Sequence, residues 1–168
     1  MQADIEGAVR AVKIARTFTW TWAKADIERF VLHAGWTLLD RGDYGSATLS
    51  TDLRVNLNRG SSYSDRRYIR GREGRDESLQ RLTAYVTDVV RQADEALTVA
   101  LSEAFDQLTE GLIQELGSPS HLVSKPEAEV GWVESHVVIN VVTHKTFLLL
   151  EIVNPRYWIE RQQLEDED

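Results

Sequence analysis

Two apolar stretches near the C-terminal end form the clearest pattern of hydrophobic and polar positions in the chain. Residues 130–142 and 147–153 are rich in β-branched and large aliphatic side chains, and a polar step at residues 143–146 separates them. Because side chains alternate along a strand, this pattern predicts a β-hairpin in which Val142 pairs with Phe147. One face of that hairpin is wholly apolar and consists of Val137, Ile139, Val141, Leu148, Leu150 and Ile152.

The opposite face of the predicted hairpin mixes apolar and polar side chains, so we expect a helix or a partner to cover part of it. His136 and Glu151 would be diagonal neighbours there, and a Glu–His pair can act as an acid–base couple. Two surface polar residues on a half-exposed sheet explain the same pattern more simply. We favour the simpler explanation.

Three further strands are predicted earlier in the chain. Residues 36–39 and 47–57 form a hairpin around the turn residues 42–45, and its second arm alternates between apolar and polar positions. Residues 79–93 fit either a helix or a strand. A helix would fuse with the next element into one unusually long helix, so we favour a strand over residues 80–89.

The main helix is predicted over residues 94–116, where apolar residues recur three or four positions apart. Its stripe consists of Leu97, Leu101, Phe105, Leu108, Leu112 and Leu116. Two short helices are predicted at residues 4–15 and 23–34. Gly35 follows the second in the left-handed position that ends many helices.

This order of elements predicts a single α+β domain spanning residues 1–168. Its antiparallel sheet would have about five strands, a three-stranded unit plus the C-terminal hairpin, packed against one long helix with N-terminal helices. Residues 60–78 are rich in Gly, Ser and Arg and are predicted to form a mobile loop. A helical turn at residues 157–164 and an acidic tail at 165–168 end the chain.

Composition limits the chemistry that the chain can perform. The absence of cysteine excludes disulfides and thiolate metal sites and fits a reducing cytoplasm. The histidines show no metal-ligand spacing, and no nucleophile elbow or phosphate-binding loop occurs. We therefore expect no metal, no cofactor and no enzymatic activity. The chain has no apolar run long enough to cross a membrane and does not start with the pattern of a signal peptide, so we predict a cytoplasmic protein without membrane contact.

Charge is unevenly distributed within the net charge of −8. Residues 92–124 contain no Lys or Arg, and the predicted main helix there carries an acidic edge formed by Glu95, Glu103, Asp106 and Glu110. Such an edge either keeps a surface helix soluble or attracts a basic partner protein, because complementary charge speeds association. Our hypothesis is that this edge binds another protein.

Trp20 and Trp22 are a second candidate for partner contact. They belong to an alternating aromatic strip at residues 18–22. The strip either packs into the core or stays partly exposed as an interface anchor, and core packing is the simpler interpretation. A homodimer is left open as well.

The arginine cluster in the predicted loop supports an alternative function, nucleic-acid binding. Cations there alternate with a ring that can stack on bases: Arg66, Arg67, Tyr68, Arg70 and Arg72. The chain is nevertheless acidic, with an isoelectric point of about 5.0, and lacks the basic footprint of a nucleic-acid-binding protein. Protein binding is therefore the leading hypothesis.

Three short motifs stand out: the aromatic strip at 18–22 with the following segment up to Gly35-Trp36, the Leu-Gly-Ser-Pro sequence at 116–119, and Gly131-Trp132 before the last hairpin. Together they resemble a family of small, uncharacterised actinobacterial proteins. Such proteins resemble those found near polymorphic-toxin and secretion genes. The resemblance implies an immunity protein or a secretion chaperone, and the element order is similar to the type III secretion chaperone-like fold.

Overall fold

The computed structural model describes residues 1–41, 46–65, 78–124 and 127–165, except for the side chain of Asp65. Four helices and eight strands form over these residues. In chain order they are α1 (Ile5–Thr17), α2 (Asp26–Ala34), β1 (Thr37–Arg41), β2 (Ser46–Ser50), β3 (Arg59–Asp65), β4 (Ser78–Tyr85), α3 (Glu95–Leu116), β5 (His121–Val123), β6 (Glu129–Val133), β7 (Val138–Thr143), β8 (Leu148–Val153) and α4 (Pro155–Glu165).

All eight described strands belong to one antiparallel sheet, in the order β1-β2-β3-β4-β8-β7-β6-β5. The last strand of the chain, β8, lies in the interior of the sheet between β4 and β7. Helices α1, α2 and α3 cover one face, which we call the inner face, and α4 lies on the other, the outer face. The structure is an α+β fold.

The eight-stranded sheet corrects the prediction of about five strands on one long helix, since α3 is one of four helices. Residues 130–142 form two strands, because the N–H of Glu134 donates to the C=O of Val137 (3.0 Å) in a turn that the apolar pattern does not reveal. Strand β5 has three residues, too few for an alternation to be recognised.

The prediction of a mobile loop at residues 60–78 is wrong at both ends. Strand β3 includes Gly60 and pairs with both β2 and β4, and β4 begins at Ser78. A Cβ on Gly60 would collide with the backbone C=O of Thr83, so glycine permits the close approach of the two strands. Residues 66–77, which hold most of the arginine cluster, lie outside the described residues.

The strand predicted over residues 47–57 ends at Ser50. The N–H of Thr51 donates to the C=O of Asn58 (3.0 Å), which closes a loop between β2 and β3. The apolar alternation continues past Ser50 because Leu53 is buried in the core cluster although its segment has left the sheet. The strand favoured over residues 80–89 is confirmed by β4 as to its type, but β4 begins at Ser78 and ends at Tyr85.

The C-terminal hairpin has the predicted faces in a different register. Val142 pairs with Leu149 instead of Phe147, because Lys145 and Thr146 form a tight turn closed by a hydrogen bond from the N–H of His144 to the C=O of Phe147 (2.9 Å). A shift of two residues leaves every side chain on its original face. The predicted apolar row is accordingly buried against the helices.

The core lies between the inner face and the helices α1, α2 and α3. The predicted stripe of α3 is confirmed, with Leu97, Leu101, Phe105, Leu108 and Leu112 buried and Leu116 partly buried. The carboxylate of Asp94 accepts from the N–H of Leu97 (2.7 Å) and caps the start of the helix. The core therefore fixes which side of α3 faces the solvent.

Candidate functional site

The solvent side of α3 carries the acidic edge together with two exposed apolar residues. Glu103, Asp106 and Glu110 lie within an arc of about 60° opposite the buried stripe, because successive residues turn by 100°. Val99 and Ile113 belong to the same side and are 53% and 42% exposed. We call this surface the α3 outer face and define it by Glu95, Val99, Glu103, Asp106, Glu110 and Ile113.

The carboxylates of the α3 outer face are uncompensated. Within the part of the chain that the structure describes, none of the four acidic residues forms an ion pair or a side-chain hydrogen bond. Many other carboxylates do have cationic partners, in the pairs Asp4–Arg54, Asp26–Arg29, Glu28–Arg41, Asp52–Arg10, Glu115–Lys13, Glu134–Arg16 and Glu151–Arg81. The predicted acidic edge is thus exposed and continuous.

Trp20 and Trp22 lie in an aromatic cluster beside α2 and are partly buried. Their rings stack at 4.3 Å with an interplanar angle of 10°, and Trp20 also stacks on Phe30 at 5.2 Å. The indole N–H groups donate to the backbone C=O of Ala15 (2.8 Å) and of His136 (3.0 Å), respectively. Contacts within the chain therefore use both indole N–H donors and part of the ring surface of Trp20 and Trp22.

A buried carboxylate holds the backbone of this aromatic segment. Trp22 has a positive φ of 58°, which is rare for a residue other than glycine. Asp26 accepts from the N–H of Thr21 (2.7 Å), from the N–H of Trp22 (2.8 Å) and from the guanidinium of Arg29. Burial raises the pKa of Asp26, but the hydrogen bonds from Arg29, Thr21 and Trp22 outweigh it and hold the pKa below its usual value.

A polar cluster crosses the outer face beneath α4. Glu151 is only 4% exposed, and its two oxygens accept from Nη1 of Arg81 (2.9 Å) and Nδ2 of Asn140 (3.0 Å). The same Nδ2 donates to Oε1 of Glu129 (3.0 Å), which also accepts from Nε2 of His121 (3.1 Å). Side chains from the five strands β4, β8, β7, β6 and β5 are joined in this way.

Helix α4 completes the polar cluster from above. The imidazole of His121 stacks on the indole of Trp158, with ring centroids 5.0 Å apart. On its other side it lies against Gly131, where a Cβ would collide with it. The guanidinium of Arg161 lies over the Trp158 ring at 4.9 Å. We call the five sheet residues Arg81, His121, Glu129, Asn140 and Glu151 the floor of this site.

Sequence reasoning missed most of this cluster. His136 is not a neighbour of Glu151, because its Nε2–H donates to the C=O of Arg16 (2.7 Å) in the turn between β6 and β7. The histidine of the cluster is His121, at the start of β5. The sequence did contain one signal for this cluster. Asn140 and Glu151 are polar residues that stand between apolar neighbours in two adjacent predicted strands. The arginine-cluster residues Arg66, Arg67, Tyr68, Arg70 and Arg72 lie outside the described residues.

The described residues offer neither a metal site nor a membrane-spanning helix. No group of three or more His, Asp or Glu side chains in residues 1–41, 46–65, 78–124 and 127–165 is arranged to hold a metal ion. In the same ranges, no helix combines the length and the apolar character needed to cross a membrane.

The fold and these surfaces define an α+β protein with one antiparallel sheet, helices on both faces and an acidic helix side turned to the solvent. The chain belongs to the DUF6301 family, a family of unknown function whose model matches residues 6–154. No curated protein and no solved structure matches the chain. The expected similarity to the type III secretion chaperone-like fold therefore gains no support from solved structures.

Proposed function

We propose that this chain is a non-enzymatic protein-binding module that recognises a basic partner through the α3 outer face. The observation that carries the proposal is a row of carboxylates without ion pairs in the described residues, with exposed Val99 and Ile113 on the same helix side. Carboxylates steer a cationic partner during diffusion, and the two apolar residues give it a contact after it arrives. Val99 and Ile113 are about 21 Å apart along the helix axis at 1.5 Å per residue.

The spacing of the carboxylates supports a binding role over a role in folding. Glu103 and Asp106 are three positions apart, and Asp106 and Glu110 are four. Like charges at the four-residue spacing destabilise a helix by about 0.2–0.5 kcal/mol per pair. The row of carboxylates therefore lowers the stability of the folded state and at the same time attracts a positively charged surface.

The client that we propose is a toxin or a secreted protein, and the chain would then be an immunity protein or a secretion chaperone. This narrower assignment is supported by the motif resemblance at residues 18–36, 116–119 and 131–132. A large secreted toxin-like protein encoded beside the gene in its native genome would favour immunity. Neighbouring genes for a secretion apparatus would favour the chaperone role.

Neutralising the acidic row is expected to weaken binding and to leave folding unchanged. The variant Glu103→Gln/Asp106→Asn/Glu110→Gln should associate at least about tenfold more slowly with its partner at low salt, because long-range attraction is lost. Its salt dependence should also flatten. Its free energy of unfolding should stay within about 0.5 kcal/mol of wild type, since exposed charges contribute little. The partner is captured from the native host with a photo-crosslinking residue at Ile113, and association is then measured by stopped flow.

A matched control removes three exposed charges elsewhere, in the variant Glu6→Gln/Asp40→Asn/Glu127→Gln. Equal slowing in this variant would show that net charge, and not the α3 outer face, governs association. A photo-crosslinking residue at exposed Leu32 should capture nothing specific. Loss of binding only after Arg66, Arg67 and Arg70 are replaced would contradict the proposal and support nucleic-acid binding.

A further inference from the structure

Helix α4 is attached to the outer face by a small contact. Trp158 is the one buried residue of α4, and together with Tyr157 it packs on Val138 and Val153 of the sheet. Isolated helices shorter than about 12–15 residues are marginal in water, and α4 has 11 residues. The position of α4 therefore depends on Trp158 and on the polar cluster below it.

The charge of the floor favours a cationic occupant. Glu129 and Glu151 contribute two carboxylates, whereas Arg81 contributes the one guanidinium. His121 hydrogen-bonds to Glu129, and the neutral Asn140 joins the two acids. A buried carboxylate without a compensating charge is costly. The floor thus requires a further positive group above it, which α4 supplies as Arg161.

Arg161 satisfies this requirement only in part. Its Nη2 and Nη1 lie 3.9 Å from Oε1 of Glu129 and from Oε2 of Glu151, beyond hydrogen-bonding distance. Oδ1 of the fully buried Asn140 is reached by no donor among the described residues. A buried polar network with unsatisfied members is costly. A segment that placed its arginine within hydrogen-bonding distance of Glu129 and Glu151 would therefore bind the floor better than α4 does.

We propose that α4 is a displaceable strap over a docking site for a helical segment of the partner protein. That segment would carry an aromatic residue and an arginine three positions later, the spacing of Trp158 and Arg161 in α4. Its aromatic ring stacks on His121, and its arginine donates to the two carboxylates of the floor. The inference rests on the proposed function, since it names the part of the partner that this chain recognises.

The extent of the family match agrees with this division between floor and strap. The match ends at Asn154, the residue immediately before α4, so the floor lies within the matched region and Arg161 lies outside it. Asn154 also marks a structural boundary, because its C=O accepts from the N–H of Trp158 (3.0 Å) and its Nδ2 donates to the C=O of Leu79 (3.1 Å). These bonds fix the start of α4, and the proposed displacement concerns the residues that follow.

A peptide added in trans tests the docking site. The probe is a fluorescent peptide with the sequence of residues 155–165, and the receptor is the full chain with Trp158→Ala and Arg161→Ala. The peptide should bind this variant at least about tenfold more tightly than wild type, whose site is filled, as measured by fluorescence anisotropy. A peptide with alanine at both positions should not bind. The variant Ile159→Ala/Leu164→Ala, changed at two exposed positions of α4, should behave as wild type.

Equal binding to wild type and to the double variant would overturn the proposal, as would no binding to a double variant that circular dichroism shows to be folded. Where the double variant does not fold, hydrogen exchange of wild type decides. Amides of α4 should exchange at least about 100-fold faster than those of β8 through local opening. Equal protection would mean that α4 leaves only on global unfolding, which also overturns the proposal. Neutralising the α3 outer face should not change peptide binding, so the two proposals fail separately.

Discussion

Replacing Phe30 by alanine is expected to lower the free energy of unfolding by about 3–5 kcal/mol. The side chain is fully buried, and its ring lies 5.6 Å from Phe18, 5.2 Å from Trp20 and 5.6 Å from Trp36. Truncation removes these contacts and leaves a cavity, because the surrounding rings are held by their own neighbours. Urea denaturation followed by circular dichroism measures the effect.

Leu32 provides the control on the same helix. It is 79% exposed, two positions from Phe30, and the variant Leu32→Ala should change the free energy of unfolding by no more than about 0.5 kcal/mol. A loss below about 1 kcal/mol in the variant Phe30→Ala would show that the aromatic cluster is not part of the cooperative core.

Replacing Asp26 by asparagine should lower the free energy of unfolding by about 2–3 kcal/mol near neutral pH. The carboxylate is buried, and it accepts from two backbone N–H groups, from the hydroxyl of Thr21 (2.8 Å) and from Arg29. An amide cannot accept all four, because one of its two polar atoms is a donor. The N–H groups of Thr21 and Trp22 bind the same oxygen, Oδ2, whereas Arg29 binds Oδ1. An amide that keeps its oxygen toward the two N–H groups turns its NH2 group toward the guanidinium of Arg29, so that charge-assisted bond is lost.

The effect of Asp26→Asn should depend on pH in a defined direction. The folded state lowers the pKa of Asp26, so its stabilisation is complete above the unfolded pKa and is lost as the pH falls through the folded pKa. The difference between the variant and wild type should therefore shrink in acid. The variant Leu32→Ala, which changes no titratable group, should show no such dependence. An Asp26→Asn difference that stays constant into strong acid would contradict the assignment.

The apolar periodicity was sufficient for α3 and for the faces of the last hairpin. In both cases one side of the element packs on a single large surface, so the spacing of the apolar residues in the sequence identifies that side. The apolar periodicity failed for β3, because the Gly and Ser content of this strand is typical of a loop. Gly60 is needed there for the close approach of Thr83, which depends on a neighbouring strand and not on the segment itself.

The two candidate surfaces also differ in how far they could be predicted from the sequence. The α3 outer face follows from one helix, because its residues are neighbours on a single regular element. The polar cluster requires the pairing of Gly131 with Asn140, the pairing of Asn140 with Glu151 and the return of α4 across the outer face. A slip of one residue in either pairing would place these polar groups on opposite faces. Such a site is specified by tertiary structure and is hidden in the linear pattern.

The position of β8 in the sheet also determines how the chain can fold. Strands β1 to β4 form one meander and β5 to β7 another, and in the described residues only β8 joins them by backbone pairing. Until residues 148–153 leave the ribosome, the two half-sheets each present an unpaired strand edge, at β4 and at β7, which is a risk for aggregation. Closure must then bring together segments separated by more than sixty residues, such as Leu82 and Ile152, so folding should be slow and cannot be completed before β8 has emerged.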